Sequence, residues 1–316
     1  MIVELFAKSD IGRVRRGNED NFLLLDLSTG RSVTGSEPVE VPVEMHSFDL
    51  GPRGLVLVVS DGMGGALAGD VASRMAVEFV RDTLADASSI NGQTPGEESD
   101  LSLISCLRQA VLDANSEVHR QSLSDARFSG MGATFTGAAV NNRTLDLVQV
   151  GDSRAYLVRG NQIKLTTKDQ SLVQQLVDVG QITEEDAETH MFKNVILQAL
   201  GAQSEIVPVT GRVRLCRHDI LLLCSDGLSG KLRAEDMHQI LTDSGGDLAA
   251  ACENMVAEAN ARGGEDNITL ILAHFDGADL PAPKQNDISI ELLRWPEEDT
   301  AMAEEDDEAT RSPDAV

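Results

Sequence analysis

Four aspartates of this chain stand at the ends of apolar runs. Asp61 follows Leu55-Val56-Leu57-Val58-Val59-Ser60, Asp152 follows the run at 145–151, and Asp226 follows Ile220-Leu221-Leu222-Leu223-Cys224-Ser225. Asp266 comes just before Ile268-Thr269-Leu270-Ile271-Leu272. Apolar runs of about four to eight residues bounded by Gly and Asp read as buried strands. A carboxylate at the mouth of such a strand is partly desolvated, and several together repel one another unless a cation neutralises them. A fifth constellation, Arg15-Arg16-Gly17-Asn18-Glu19-Asp20, sets two adjacent acids after an arginine and just before another apolar strand. Each of these alone is more often a charged turn than a ligand set, because Asp, Asn and Gly dominate turns. Read jointly the turn explanation weakens, since a turn needs no acid placed repeatedly at a buried strand end.

The ligand types narrow the ion. In Ser60-Asp61-Gly62-Met63-Gly64-Gly65, a glycine after a liganding Asp allows a sharp turn that offers both the carboxylate and the Gly62 carbonyl to one cation. Carboxylates, a carbonyl and water are hard donors suited to Mg2+ or Mn2+. The six histidines fall in no HExxH or HxH arrangement, which argues against zinc. Neither Gly64-Gly65 nor Gly227-Leu228-Ser229-Gly230-Lys231 has P-loop spacing, and Gly-x-Ser-x-Gly is absent. A pair of hard cations held by acids lowers the pKa of a water and neutralises the oxygens of a phosphate ester, and a nearby arginine can grip the phosphate with its fork.

The elements that must position these groups follow from periodicity. Strands are expected at 3–7 and 22–27, and a loop or edge hairpin over 28–53, where Val39, Val41 and Val43 alternate with Glu40 and Pro42. A helix follows Asp61, with Val71, Met75, Phe79, Val80 and Leu84 on its apolar face. A second follows a polar linker, with Leu103, Leu107, Val111, Ala114 and Val118 in register. Strands return over 133–165, short helices over 171–201 with Thr183 as a cap, then the Asp226 strand, two helices with apolar residues from Leu248 to Val256, and a last strand at 268–275. Strands and helix pairs come in blocks, which favours an α+β fold of packed antiparallel sheets over a doubly wound parallel sheet.

The 316 residues can bury a sizeable core, and 52 Asp+Glu against 26 Lys+Arg give a net charge of −26. Such a chain repels nucleic acid and anionic membrane. Residues 297–316 hold nine acids against Arg311, a composition typical of disorder, while Ile288, Ile290, Leu292, Leu293 and Trp295 form a short apolar segment expected to dock on the domain. The alternative for that segment is a partner-binding or self-inhibiting arm. No membrane span or signal peptide is expected. The four cysteines lack metal-ligand spacing, which suits a reducing cytoplasm.

In chain order, these residues resemble the metal-dependent protein phosphatase family, the Mg2+- or Mn2+-dependent type 2C serine/threonine phosphatases, and its bacterial branch above all. The segments that carry the resemblance lie at 10–20, 60–65, 130–134, 151–154, 165–169, 225–228 and 266–269. The resemblance implies a four-layer αββα sandwich, two central antiparallel sheets flanked by helix pairs, with a catalytic domain over 1–275 and an acidic extension over 276–316. It implies that Asp61, Asp226 and Asp266 hold one metal, and that Asp20, Asp61 and the Gly62 carbonyl hold a second with Glu19 nearby. Asp152 and Asp226 would hold a weaker third ion, and Arg15 would bind phosphate. The implied reaction is attack of a metal-bridging hydroxide on phosphoserine or phosphothreonine in phosphorylated proteins, by a monomer that reverses bacterial Ser/Thr kinase signalling. Two other readings fit the same residues: a scaffold without turnover, and a regulator phosphatase dedicated to one substrate. Met63, Ala133, Gln170 and Met191 depart from the family pattern, where His, Thr, His and Pro are common. Met63 cannot donate a proton to the leaving group.

Overall fold

The apolar runs form strands, and they close two sheets. The computed structural model describes residues 1–35, 41–64, 68–86, 99–283 and 287–295. One sheet runs in the spatial order Gln162–Leu165, Arg154–Arg159, Asp219–Cys224, Ile268–Asp276, Ile2–Asp10, Ser47–Asp49. The other runs Glu291–Leu292, Val209–Arg214, Thr144–Val150, Phe135–Asn141, Leu55–Met63, Asp20–Asp26, Arg31–Gly35, with Gly132–Ala133 paired to the end of Leu55–Met63. Among the described residues every strand pairing is antiparallel.

Alternation along each strand sorts side chains into separate layers. Leu5, Phe22, Leu24, Leu57, Leu223, Ile271 and Phe275 fill the space between the sheets. Leu23, Leu25, Val56 and Val58 point the other way, onto helices Ala68–Ala85 and Ser99–Ser124. Leu222, Cys224, Leu270 and Leu272 do the same toward helices Ala234–Asp243 and Leu248–Ala261. The result is the expected αββα sandwich. Each such Leu, Ile or Phe contributes about 1.5–3 kcal/mol through burial, which together holds the four layers in register.

Two expectations need correction. Helix Ala68–Ala85 buries Ala72, Ala76, Val77, Val80 and Leu84, while Val71, Met75 and Phe79 are only half-buried. Small residues win that face because they let the helix axis approach the sheet closely. The 28–53 stretch is not a hairpin of its own: only its first strand, Arg31–Gly35, forms an edge hairpin, with Asp20–Asp26. Arg31–Gly35 edges one sheet, Ser47–Asp49 edges the other, and the helical turn Val43–His46 lies between them. Val33, Val41 and Met45 enter the inter-sheet core, so burial of these residues draws the segment across the side of the sandwich; Val39 and Glu40 lie outside the described residues.

At the carboxyl end the apolar segment docks on the domain, as expected. The folded unit does not stop at 275: Leu280 and Ile288 are buried in the inter-sheet core, and Glu291–Leu292 pairs with Gly211 and Arg212. Trp295 Nε1 donates to Thr210 Oγ1 at 2.8 Å, and the Arg108 guanidinium lies 4.8 Å from the tryptophan ring centroid. The acidic stretch 296–316 lies outside the described residues. All four cysteines are free thiols. Among the described residues no helix is long and apolar enough to cross a membrane.

Candidate active site

The acids come together where the two sheets meet at one end. Asp20 opens Asp20–Asp26 and lies directly opposite Asp61 of Leu55–Met63, a register that puts two carboxylates side by side. Across the sandwich, Asp219–Cys224 and Ile268–Asp276 are neighbours, so Asp226, just past the first, and Asp266, just before the second, share a rim. Ser225 joins the two sheets: its Oγ donates to Asp20 Oδ2 at 2.7 Å and accepts from the Thr269 amide at 3.0 Å. Asp152 follows Thr144–Val150, two strands from Asp61.

Gly62 shows how tightly the cleft wall is built. A Cβ there would lie 2.1 Å from the Gly69 carbonyl oxygen and 2.7 Å from that of Glu19, so no larger residue fits. This contact seats the start of helix Ala68–Ala85 against the Glu19–Asp20 turn, and Ser73 Oγ donates to the Glu19 carbonyl at 2.6 Å.

Burial and mutual repulsion raise the pKa of Asp20, Asp61, Asp152, Asp226 and Glu19. Desolvation is the largest cause at each one. Asp20 is pushed up to about 7, with Asp226 and Asp266 adding to the burial effect and the Ser225 and Thr269 hydroxyls opposing it. Asp152 is pushed up to about 8, with Asp226 and Asp169 adding and Arg154 opposing. Asp61 lies well above the carboxylate range, crowded by Asp20, Asp226 and Asp152, although part of its surface still meets solvent. Asp226 is raised by burial and Asp266 and stands within hydrogen-bonding reach of Asp61. Glu19 is raised by burial, against the pull of Arg15.

These residues fit hard cations. Asp20 Oδ1 and Asp226 Oδ1 are buried and have no hydrogen-bond partner, and the acids and the Gly62 carbonyl offer hard oxygen donors. Among the described residues no three His, Cys, Asp or Glu side chains stand as a ready-made cage. Arg15 Nη2 lies on Asp266 Oδ2 at 2.7 Å, and Ser225 takes the second oxygen of Asp20. The structure brings Arg15, Glu19, Asp20, Asp61, Gly62, Asp226 and Asp266 to one mouth, with Asp152 beside it.

The residues that orient the acids lie inside the same motifs but carry no role readable from sequence. Thr134 Oγ1 accepts from the Asp61 amide at 2.9 Å and shares a bond with Ser153 Oγ at 2.7 Å. Asn267 Oδ1 accepts from the Glu19 amide at 2.8 Å. Gln170, at a position where His is common in the family, accepts from the Gly151 amide through its Oε1 at 2.7 Å and so pins the Asp152 turn. Arg154 Nη2 donates to Asp169 Oδ2 at 2.8 Å beside that turn. Gln170 and Asn267 each adjoin an acid in the sequence, following Asp169 and Asp266.

Comparison with known proteins gives this architecture a family. A family model described as protein phosphatase 2C matches residues 45–267. The chain is 33% identical over 269 residues to the serine/threonine phosphatase stp of Listeria monocytogenes, covering 85% of this chain and 94% of that protein. It is 34% identical over 227 residues to the protein phosphatase PhpP of Streptococcus pneumoniae, covering 71% and 87%. It superposes with a TM-score of 0.67 on the catalytic domain of the serine threonine protein phosphatase PstP solved in complex with 2 manganese ions, at 30% identity and covering 87% and 99%. Fold and site together define a phosphatase of the metal-dependent class. The chain belongs to the protein phosphatase 2C family.

Proposed function

We propose that the chain is a Mn2+- or Mg2+-dependent protein serine/threonine phosphatase, acting on phosphoserine and phosphothreonine. One observation carries this reading: acids from both sheets converge beside Arg15, with buried carboxylate oxygens that have no protein partner. Asp61, Asp226 and Asp266 would hold one ion, and Asp20, Asp61 and the Gly62 carbonyl a second, with Glu19 alongside; Asp152 and Asp226 would hold a weaker third. Bound there, the ions would lower the pKa of a water and neutralise phosphate oxygens.

The chain's own residues do the rest. Arg15 leaves Asp266 and turns its fork to two phosphate oxygens, fixing the phosphorus in line with the attacking water. Ser225 and Thr134 hold Asp20 and the Asp61 backbone in place, so little reorganisation is needed during the reaction. Met63 has no proton to give, so the serine or threonine alkoxide takes its proton from water. Phosphorylated proteins, among them Ser/Thr kinases, are the partners of this reading, met by a monomer in the cytoplasm, with residues 1–275 carrying the catalysis. The test is release of phosphate from a phosphothreonine peptide. Activity with Mn2+ that disappears in EDTA and in Asp226→Asn supports the proposal; full activity in either condition sinks it.

A further inference from the structure

The loop that carries Arg15 has no regular secondary structure between Asp10 and Asp20, yet its side chain must be placed accurately. We infer that Asn267 is the positioning residue that clasps this loop and fixes Arg15 over the acid cluster. Its carboxamide is buried, 2% exposed, and is divided among three points of the loop. Nδ2 donates to the Ile11 carbonyl at 2.9 Å and to the Gly17 carbonyl at 3.1 Å, and Oδ1 accepts from the Glu19 amide at 2.8 Å. Ile11 and Gly17 flank Arg15 on either side, and Glu19 precedes Asp20. One side chain therefore closes the loop at both ends and ties it to the residue next to Asp266. Its own amide donates to Asp266 Oδ1 at 2.8 Å, so the clasp and the acid move as one unit.

The loop is shaped to receive this clasp. Gly12 has φ +80, and a Cβ there would lie 2.3 Å from the Asp266 carbonyl oxygen, so the loop backbone lies directly on that turn. The Arg13 amide donates to the Gly264 carbonyl at 2.7 Å. Both carboxamide donors are used on carbonyls, which no carboxylate can reproduce. An aspartate at this position would lose two bonds and face two carbonyl oxygens with a negative charge. The assignment rests on the phosphatase reading for what Arg15 grips, but the clasp itself is a matter of loop position and can be measured without activity.

Two readouts test it on the full chain. Under native conditions trypsin should cut the Arg13-Val14-Arg15-Arg16 stretch faster in Asn267→Ala and Asn267→Asp than in the unaltered protein, relative to cleavage elsewhere. With p-nitrophenyl phosphate and Mn2+, Asn267→Ala should raise KM about 10- to 100-fold while kcat falls less. In an Arg15→Ala background, the same substitution should change KM by less than about two-fold, because the cycle then has nothing left to position. Equal KM effects in both backgrounds, or trypsin cleavage at the unaltered rate, overturn the inference. Failure of the unaltered protein to hydrolyse the ester would instead overturn the phosphatase reading, and the trypsin comparison would still decide the clasp. Should the variants not fold, hydrogen exchange of the Glu19 amide in the unaltered protein decides: slow exchange supports the clasp, and exchange as fast as the Val14 amide ends it.

Discussion

Two groups of buried carboxylates in this molecule are accommodated in opposite ways. At the closed side of the sandwich Asp219 is fully buried against Arg159, whose Nε and Nη2 reach its two oxygens at 2.8 and 2.7 Å; the Cys216 amide adds a third bond at 2.8 Å. Asp146 faces Arg212 in the same manner, with Nη2 to Oδ2 at 2.8 Å. These are fork-to-carboxylate pairs with their charge and hydrogen bonds satisfied by protein. At the mouth, Asp20, Asp61, Asp152 and Asp226 crowd one another, and two of their oxygens have no partner. Burial of acid is common to both groups. The mouth acids have no protein cation matched to each of them, a mismatch that an external ion would resolve.

The comparison breaks most sharply under charge removal. Asp226→Asn should lower Mn2+-dependent phosphatase activity by about 10³-fold, yet raise the melting temperature of the EDTA-treated protein, because one repelling charge is gone. Asp219→Ala should do the reverse in kind: by stranding Arg159 it should cost about 3–5 kcal/mol of stability in urea unfolding. A metal-free Asp226→Asn protein less stable than its parent would dissolve the contrast.

Next in size is Ile288→Ala, at the point where the chain after Asp276 enters the inter-sheet core; a loss of about 2–4 kcal/mol is expected in the same titration. The Arg159 Nη1 bond to the Asp287 carbonyl and the Lys164 Nζ bond to the Ile288 carbonyl hold this stretch to the other sheet. An unchanged midpoint would show that the strap is an ornament on the fold.

The pH response should separate the groups further. The mouth acids have raised folded-state pKa values, so in the metal-free protein their neutral forms are favoured by folding. Stability from this source is complete below about pH 4 and is lost as pH rises toward about 7 for Asp20 and about 8 for Asp152. Mn2+ requires the ionised ligands, so the rise in melting temperature on adding it should grow over the same interval. Thermal scans with EDTA and with Mn2+ from pH 5 to 9 check both slopes; parallel curves would refute the account. Smallest is Trp295→Ala, where loss of the Thr210 bond and the Arg108 contact should cost about 1 kcal/mol.

Much of this was legible in the residues themselves. Apolar runs ending in Asp61, Asp226 and Asp266, a helix with Leu103, Leu107, Val111, Ala114 and Val118 on one face, and the Thr183 cap all follow from local stereochemistry, which acts over a few residues and leaves its period in the sequence. The face of Ala68–Ala85 was misjudged because bulk alone does not say how near a helix will lie to its sheet. Ser225 and Asp20 are 205 positions apart, and Asn267 and Glu19 are 248 apart. No local pattern could assign those bonds.

The sequence by itself determined the elements and the acids at their ends, because strand and helix periodicity and the polarity of a side chain are properties of short stretches. Tertiary structure alone decided that residues 31–35 and 41–49 would close one side of the sandwich, and which small polar groups would hold which acid. Those choices belong to surfaces that meet only after the two sheets have packed, when the free energy of burial selects one pairing among many that the chain could locally tolerate.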